Sequence, residues 1–221
     1  MARPWSRYFL YRREIVKTTW TLRFCVIVAL AMGLYVTRPI WIPAVGDSLA
    51  CKEHLQHSDA ILVDNFDDNY LLFERASALH ERGLAPRVLV PERSSPTGGA
   101  TVEEGIADVM AQVAHLHDVE RIPVSYEAEP ISLNVARQVR AFILEHQIQS
   151  ILVVTTGFRA ARSVLVYRKV LAQSGVTVAC VPVFGITTPS TWTRTWHGIE
   201  EVTLQFFKLQ YYRFFVLPFR A

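Results

Sequence analysis

Two guanidinium groups three residues apart, those of Arg159 and Arg162, are the side chains of this chain whose type and spacing best suit a chemical task. They follow Ile151-Leu152-Val153-Val154-Thr155-Thr156-Gly157, an apolar strand ended by a glycine turn. They open an amphipathic pattern carried by Ala160, Val164, Leu165 and Val166. A spacing of three places both on one helix face. Cations in a first helical turn oppose the helix dipole, at a cost of about 0.3–1 kcal/mol each. An anion held by the helix N–H groups and both guanidiniums offsets that cost, and a helix start after a parallel strand is a habitual phosphate site. Pairing with local carboxylates, or plain solvation, is the competing reading of the same two residues.

Four further residues are candidates for the same ligand site. Ser132 and Asn134 open the preceding helix, where Asn134 can fix a ligand hydroxyl or amide and Ser132 is equally well explained as an N-cap. Asp64 and Asn65 follow the first strand and would close the opposite wall. With Asp67 and Asp68 they form an oxygen-rich turn of the kind that suits Mg²⁺ or Ca²⁺. The spacing matches no calcium loop, however, and Asp68 or Asn69 makes a natural helix N-cap, so no metal ligands are assigned. The chain has no G-x-S-x-G, H-E-x-x-H, G-x-x-x-x-G-K-S/T or G-x-G-x-x-G. Its seven histidines are scattered, with His197 the one nearest the expected rim, and neither a catalytic residue nor a cofactor is indicated.

The elements that must position these residues alternate in type. Strands are expected at Ala60–Val63, Arg87–Val90, Ile122–Tyr126, Ile151–Thr155 and Val176–Val181. Helices are expected at Asn69–Arg82, Thr101–Leu116, Leu133–His146, Phe158–Ser174 and Gly198–Phe214, with Gly83 and Gly175 as C-terminal caps. That alternation predicts an α/β fold, a Rossmann-like parallel sheet with helices on both faces. Ligands in such folds collect at the carboxyl ends of the strands, so the loops after Val63, Val90, Tyr126 and Thr155 share one rim. Pro91 to Gly99 reads as a loop on that rim.

The chain of 221 residues is 51% hydrophobic with a formal charge of +3, too small a charge for a nucleic-acid binder. Residues 1–17 form a basic tail containing Arg3, Arg7, Arg12, Arg13 and Lys17, expected to be cytoplasmic. Residues 18–38 are long and apolar enough to cross a membrane, if Arg23 snorkels to the interface, and Arg38-Pro39 is expected to stop the helix. Trp20, Tyr35 and Trp41 fall near its two ends, where amphipathic rings settle. The basic excess before the span predicts a single-pass protein with the N-terminus inside and residues 58–221 outside, and the membrane is expected to be a bacterial inner membrane on the family resemblance given below. Residues 39–57 read as a linker. A cleaved signal peptide is the alternative, but the apolar run exceeds an ordinary h-region and no A-x-A follows it. Of three cysteines, Cys25 lies in the span. Cys51 and Cys180 can pair in an oxidising compartment or remain two unlinked thiols, and nothing in the sequence decides between these.

Val202 to Phe219 is dense in aromatic residues, with Lys208 and Arg213 between them. One face must pack on the sheet, and the remainder suits a bilayer interface, with a plainly buried helix as the competing view up to Tyr211.

Between Ser58 and Tyr212 the chain resembles the SanA/ElyC/YdcF family of bacterial cell-envelope proteins. Ser58-Asp59-Ala60-Ile61-Leu62-Val63 is similar to that family's opening strand, and Ala76, Leu79 and Gly83 to its A-x-x-L-x-x-x-G helix end. Val154-Thr155-Thr156 with Phe158, Arg159 and Arg162 resembles its V-T-S-x-x-H-x-x-R-A stretch. Trp192 or Trp196, Gly198 and Lys208-Leu209-Gln210-Tyr211-Tyr212 resemble its C-terminal helix. The resemblance implies a Rossmann-like fold, single-pass anchoring, and a link to cell-wall (peptidoglycan) or exopolysaccharide assembly. The chain departs from the pattern where Arg159 replaces a histidine, Gln205 replaces a glutamate and Asp64-Asn65 replaces a glycine-rich turn.

Together these readings lead to a membrane-anchored protein that binds a phosphorylated, lipid-linked sugar or other small-molecule ligand. Arg159 and Arg162 would clamp the phosphate, and Ser132 and Asn134 would orient the sugar. The alternative is a non-catalytic interaction protein with a degenerate site, partnering a membrane enzyme through its aromatic C-terminus. A metal-dependent transferase or hydrolase using Asp64 and Asp67 is a third option.

Overall fold

In the computed structural model, which describes residues 19–66, 69–93, 102–126 and 128–220, two compact units divide at Ile40/Trp41. The basic tail, Asp67, Asp68 and most of the Pro91–Gly99 stretch lie outside the described residues.

Helix α1 spans Trp20–Leu49 and is long and apolar enough to cross a membrane. It does not end at Arg38-Pro39. A proline inside a helix costs about 3 kcal/mol or more through a lost hydrogen bond and a clash with the preceding turn. Here the residues beyond Pro39 gain a compensating core. Leu49 is fully buried with Phe158, Trp192, Val202 and Leu209, and Trp41, Ile42 and Val45 pack against the same cluster. The Trp192 indole N–H donates to the Ile42 carbonyl at 2.8 Å. The expected linker from residue 39 is therefore largely helix, and its apolar side chains belong to the domain.

The second unit carries strands β1 (Ala60–Val63), β2 (Arg87–Arg93), β3 (Val119–Val124), β4 (Ser150–Thr156) and β5 (Thr177–Val183). All neighbours pair in parallel, in the order β3-β2-β1-β4-β5. Helices α2 (Tyr70–Glu81), α3 (Val102–Val113), α4 (Ile131–Glu145) and α5 (Ala160–Leu171) join them. Alternation along β1 fixes the two layers. Ile61 and Val63 face a core shared with Phe73 and Leu79 of α2 and Ala107 of α3, whereas Ala60 and Leu62 face Val139 of α4 and Val166 of α5. The fold is thus α/β and Rossmann-like, as its alternating pattern dictates.

Strand β2 runs on through Pro91 to Arg93, where a loop was expected. Its pairing with β1 ends at Leu89, while pairing with β3 continues to Arg93. Pro91 lacks an N–H, and a proline is tolerated where a strand has a ladder partner on one side only. Gly83 and Gly175 follow their helices with φ of +71° and +69°, the left-handed region that terminates helices without a Cβ penalty.

At the amino ends of the strands Asp59 staples β1 to β4. Its Oδ2 accepts from the N–H groups of Gln149 (2.8 Å) and Ser150 (2.9 Å), and the Gln149 bond foremost holds the Asp59 carboxyl below its usual range. A Cys51–Cys180 disulfide ties the segment after α1 to β5 across 129 residues of chain. This pairing is what the sequence left open.

A cross-link closing so long a loop stabilises a fold by about 2–5 kcal/mol. The double variant Cys51→Ser/Cys180→Ser is expected to lower denaturant stability by that amount. Maleimide labelling of the denatured, unreduced protein is expected to modify one thiol per chain, and three after reduction.

Candidate functional site

The sheet order reverses between β1 and β4, and a crevice at the carboxyl ends of strands forms at such a point. The chain leaves β1 through Asp64 and Asn65 and leaves β4 through a 3₁₀ turn, Gly157–Arg159, before α5. A Cβ at Gly157 would lie 2.1 Å from the Phe184 ring, so the turn has room only for glycine. Arg159 consequently sits in the 3₁₀ turn and Arg162 in the first turn of α5. Both side chains are about 5% exposed, and both border one cavity of about 460 Å³.

Asp64 lies beneath this cavity and does not border it. At 2% exposure its Oδ2 accepts from the hydroxyls of Thr155 (2.9 Å) and Ser163 (2.5 Å), and its Oδ1 from Tyr167 (3.3 Å). Arg159 Nε stands 3.7 Å from Oδ2. A buried carboxylate needs several donors and a countercharge to offset desolvation, and these groups supply them. Burial foremost, then the Asp64 charge, pushes the Tyr167 hydroxyl well above its ordinary value of 10.0. The first-turn cation at Arg159 is therefore balanced from below by a local acid, and its other side meets the Phe66 ring, 3.9 Å from its centroid.

Arg162 donates to two neutral oxygens, Ser132 Oγ at 2.8 Å and Gln205 Oε1 at 3.2 Å, and lies 5.3 Å from the Tyr212 ring centroid. The Tyr212 hydroxyl in turn accepts from Ser132 N at 3.2 Å. Ser132 thus reaches the cavity but does not cap α4. Glu129 takes the capping role, its Oε2 accepting from Ile131 N at 3.2 Å, while Pro130 stands at the cap position without a side-chain bond. Asn134 is committed elsewhere. Its Nδ2 donates to the Ala128 carbonyl (2.7 Å), its Oδ1 accepts from Arg137 (3.4 Å), and it does not line the cavity.

Asn65 borders a neighbouring cavity of about 230 Å³ together with Glu92 and Arg93. Phe66 and Tyr126, stacked 5.4 Å apart, line both cavities. Asn69 caps α2, accepting from Leu71 N at 3.0 Å. His197 is exposed beside Glu200, 4.0 Å away, and lines neither cavity.

The remaining wall of the larger cavity is the C-terminal helix α6 (Trp196–Tyr211), followed by a π turn, Tyr212–Val216, and α7 (Leu217–Arg220). It contributes Lys208, Tyr211 and Tyr212. Among the described residues three cations, Arg159, Arg162 and Lys208, and three phenols, Tyr126, Tyr211 and Tyr212, thus surround one space, with Glu129 also on its lining. Sequence reasoning passed over Phe66, Tyr126 and Glu129. Only their places after β1, after β3 and before α4 hinted at the rim. Among the described residues no cluster of three His, Cys, Asp or Glu side chains is placed to hold a metal.

Comparison of the chain with protein-family models, with curated proteins and with solved structures finds no match in any of the three. The fold and this cavity define an α/β protein with a cationic, aromatic crevice at its sheet switch point.

Removing the buried acid takes a shared acceptor from Arg159 and three hydroxyls. Asp64→Ala is expected to cost about 3–5 kcal/mol in denaturant unfolding, as breaking a buried pair does. Because the Tyr167 pKa is raised, its contribution to stability is complete below pH 10 and is lost as pH climbs above it. Alkaline titration followed by tyrosinate absorbance is expected to show one phenol ionising last, and Tyr167→Phe to remove that step.

Proposed function

We propose that this protein is a membrane-anchored cell-envelope protein whose cavity binds a phosphorylated ligand, a lipid-linked sugar phosphate of cell-wall or exopolysaccharide assembly. The observation that carries the reading is the convergence of Arg159 and Arg162, with Lys208, on one cavity at the carboxyl ends of the strands. Guanidinium groups match phosphate oxygens in forked geometry, and aromatic walls such as Phe66, Tyr126 and Tyr212 suit the apolar faces of sugar rings. The sequence resemblance to SanA/ElyC/YdcF proteins supports the same reading. Of the positions that carry it, Arg162, Lys208 and Tyr212 line this cavity.

The ligand class also fits the anchoring. The apolar helix keeps the protein at a bilayer, and a disulfide in the domain suits the oxidising side of a bacterial inner membrane. With a basic tail preceding the span, the N-terminus lies in the cytoplasm and the domain outside. The reading assigns binding and no reaction, since among the described residues the cavity lining contains neither a histidine nor a nucleophile–base pair.

Charge-assisted hydrogen bonds contribute about 1.5–3 kcal/mol each, so Arg159→Ala/Arg162→Ala is expected to weaken polyprenyl-phosphate binding by about 100-fold or more. Lys208→Ala, at an exposed position, is expected to weaken it several-fold with thermal stability unchanged. The check is titration of detergent-solubilised full-length protein with polyprenyl phosphate. Undiminished affinity in the double variant, with folding intact by circular dichroism, removes this reading.

A further inference from the structure

The helix that walls the cavity has a second face. Val202 and Leu209 of α6, with Tyr212, Val216 and Leu217 after it, are buried in the domain. Leu204, Phe207, Lys208 and Tyr211 recur at spacings of three and four on the exposed side. Phe207 is 66% exposed, and beyond it Phe215 is 65% and Phe219 79% exposed. The π turn does not break this strip, because the rings of Tyr211 and Phe215 stack across it at 6.2 Å. A contiguous aromatic surface of this kind is not left to water. No acidic residue follows Glu201, whereas Lys208, Arg213 and Arg220 do.

We infer that this strip lies in the interfacial layer of an anionic bilayer, so that the cavity behind it takes the phosphate of an amphiphilic lipid whose chain stays in the membrane. Three observations select a bilayer as the occupant. Exposed rings interleaved with cations are the composition of interfacial helices, which bind by apolar burial plus attraction to anionic headgroups. Trp41, Ile42 and Val45, which follow the apolar stretch in the chain, pack with the cluster that holds Val202 and Leu209 of α6. Finally, Lys208 and Tyr211 belong to both the exposed strip and the cavity lining, so the anion site opens at the edge of the strip. A phosphate at headgroup depth then reaches Arg162 without its lipid leaving the bilayer.

The ligand part of this inference rests on the phosphate-binding reading, while the membrane contact is measured independently of it. Full-length Cys25→Ala protein carrying Phe207→Cys or Phe215→Cys, with the Cys51–Cys180 disulfide intact, is spin-labelled and reconstituted one copy per nanodisc containing phosphatidylglycerol. Leu144→Cys, at the far end of α4, is the control. Labels at 207 and 215 are expected to be accessible to oxygen but shielded from a water-soluble nickel chelate, with the control open to the chelate. Chelate access at 207 and 215 equal to the control overturns the inference, as does shielding from both reagents, which means a protein covers the strip. In a second arm, Phe207→Ser/Phe215→Ser is expected to reduce capture of bilayer-embedded polyprenyl phosphate at least tenfold and to leave binding of a water-soluble short-chain prenyl phosphate unchanged. Equal loss of both ligands overturns the delivery role. Failure of the wild-type protein to bind either phosphate overturns the ligand reading and leaves the label result to decide the membrane contact.

Discussion

The buried carboxylate of Asp64 is the constraint on which the rest of the site depends. A single side chain at the end of β1 gathers a hydroxyl from β4, two from α5 and the guanidinium that begins the connection between them. Each donor comes from an element whose position is also fixed by the apolar core, so the network and the core specify the same geometry. In a low-dielectric interior an unmatched group is costly, and the arrangement holds because its groups satisfy one another. Its effect at the surface is to present Arg159 upward against Phe66 with its charge partly compensated.

Arg162 is held differently. Its bonds to Ser132 and Gln205 bring α4 and α6 to the same guanidinium, and Tyr212 closes the ring by accepting from the backbone of Ser132. Two adjacent arginines therefore have distinct roles, one fastened to the sheet and one joining the helices that wall the cavity. The C-terminal helix is part of the site rather than an appendage, and its placement depends on the apolar cluster that the end of α1 completes.

That cluster joins the end of α1 to the helix that walls the cavity. The side chains of Trp41, Ile42, Val45 and Leu49 stabilise α6, which contributes Lys208, Tyr211 and Tyr212 to the cavity. Pro39 and Pro43 lie within α1, and Leu49 beyond them is buried in that cluster.

The strands, the helices and their alternation were legible in the sequence because local periodicity dictates them. Ala60–Val63 is an unbroken buried run, Gly83 and Gly175 stop helices, and the apolar stretch near the start forms a helix long and apolar enough to cross a membrane. The closeness of Arg159 and Arg162 was legible in their spacing, although the structure puts Arg159 in the 3₁₀ turn and only Arg162 within α5. What the sequence could not decide were contacts between residues remote along the chain. Asp64 and Ser163 are 99 residues apart, Cys51 and Cys180 129, and Ser132 and Tyr212 80. Whether Ser132 caps its helix or binds Arg162, and whether Pro39 ends a helix or lies within one, depends on what packs against them. Local propensity fixes the elements, but the desolvation of polar groups and the burial of apolar ones are settled only when the chain is folded.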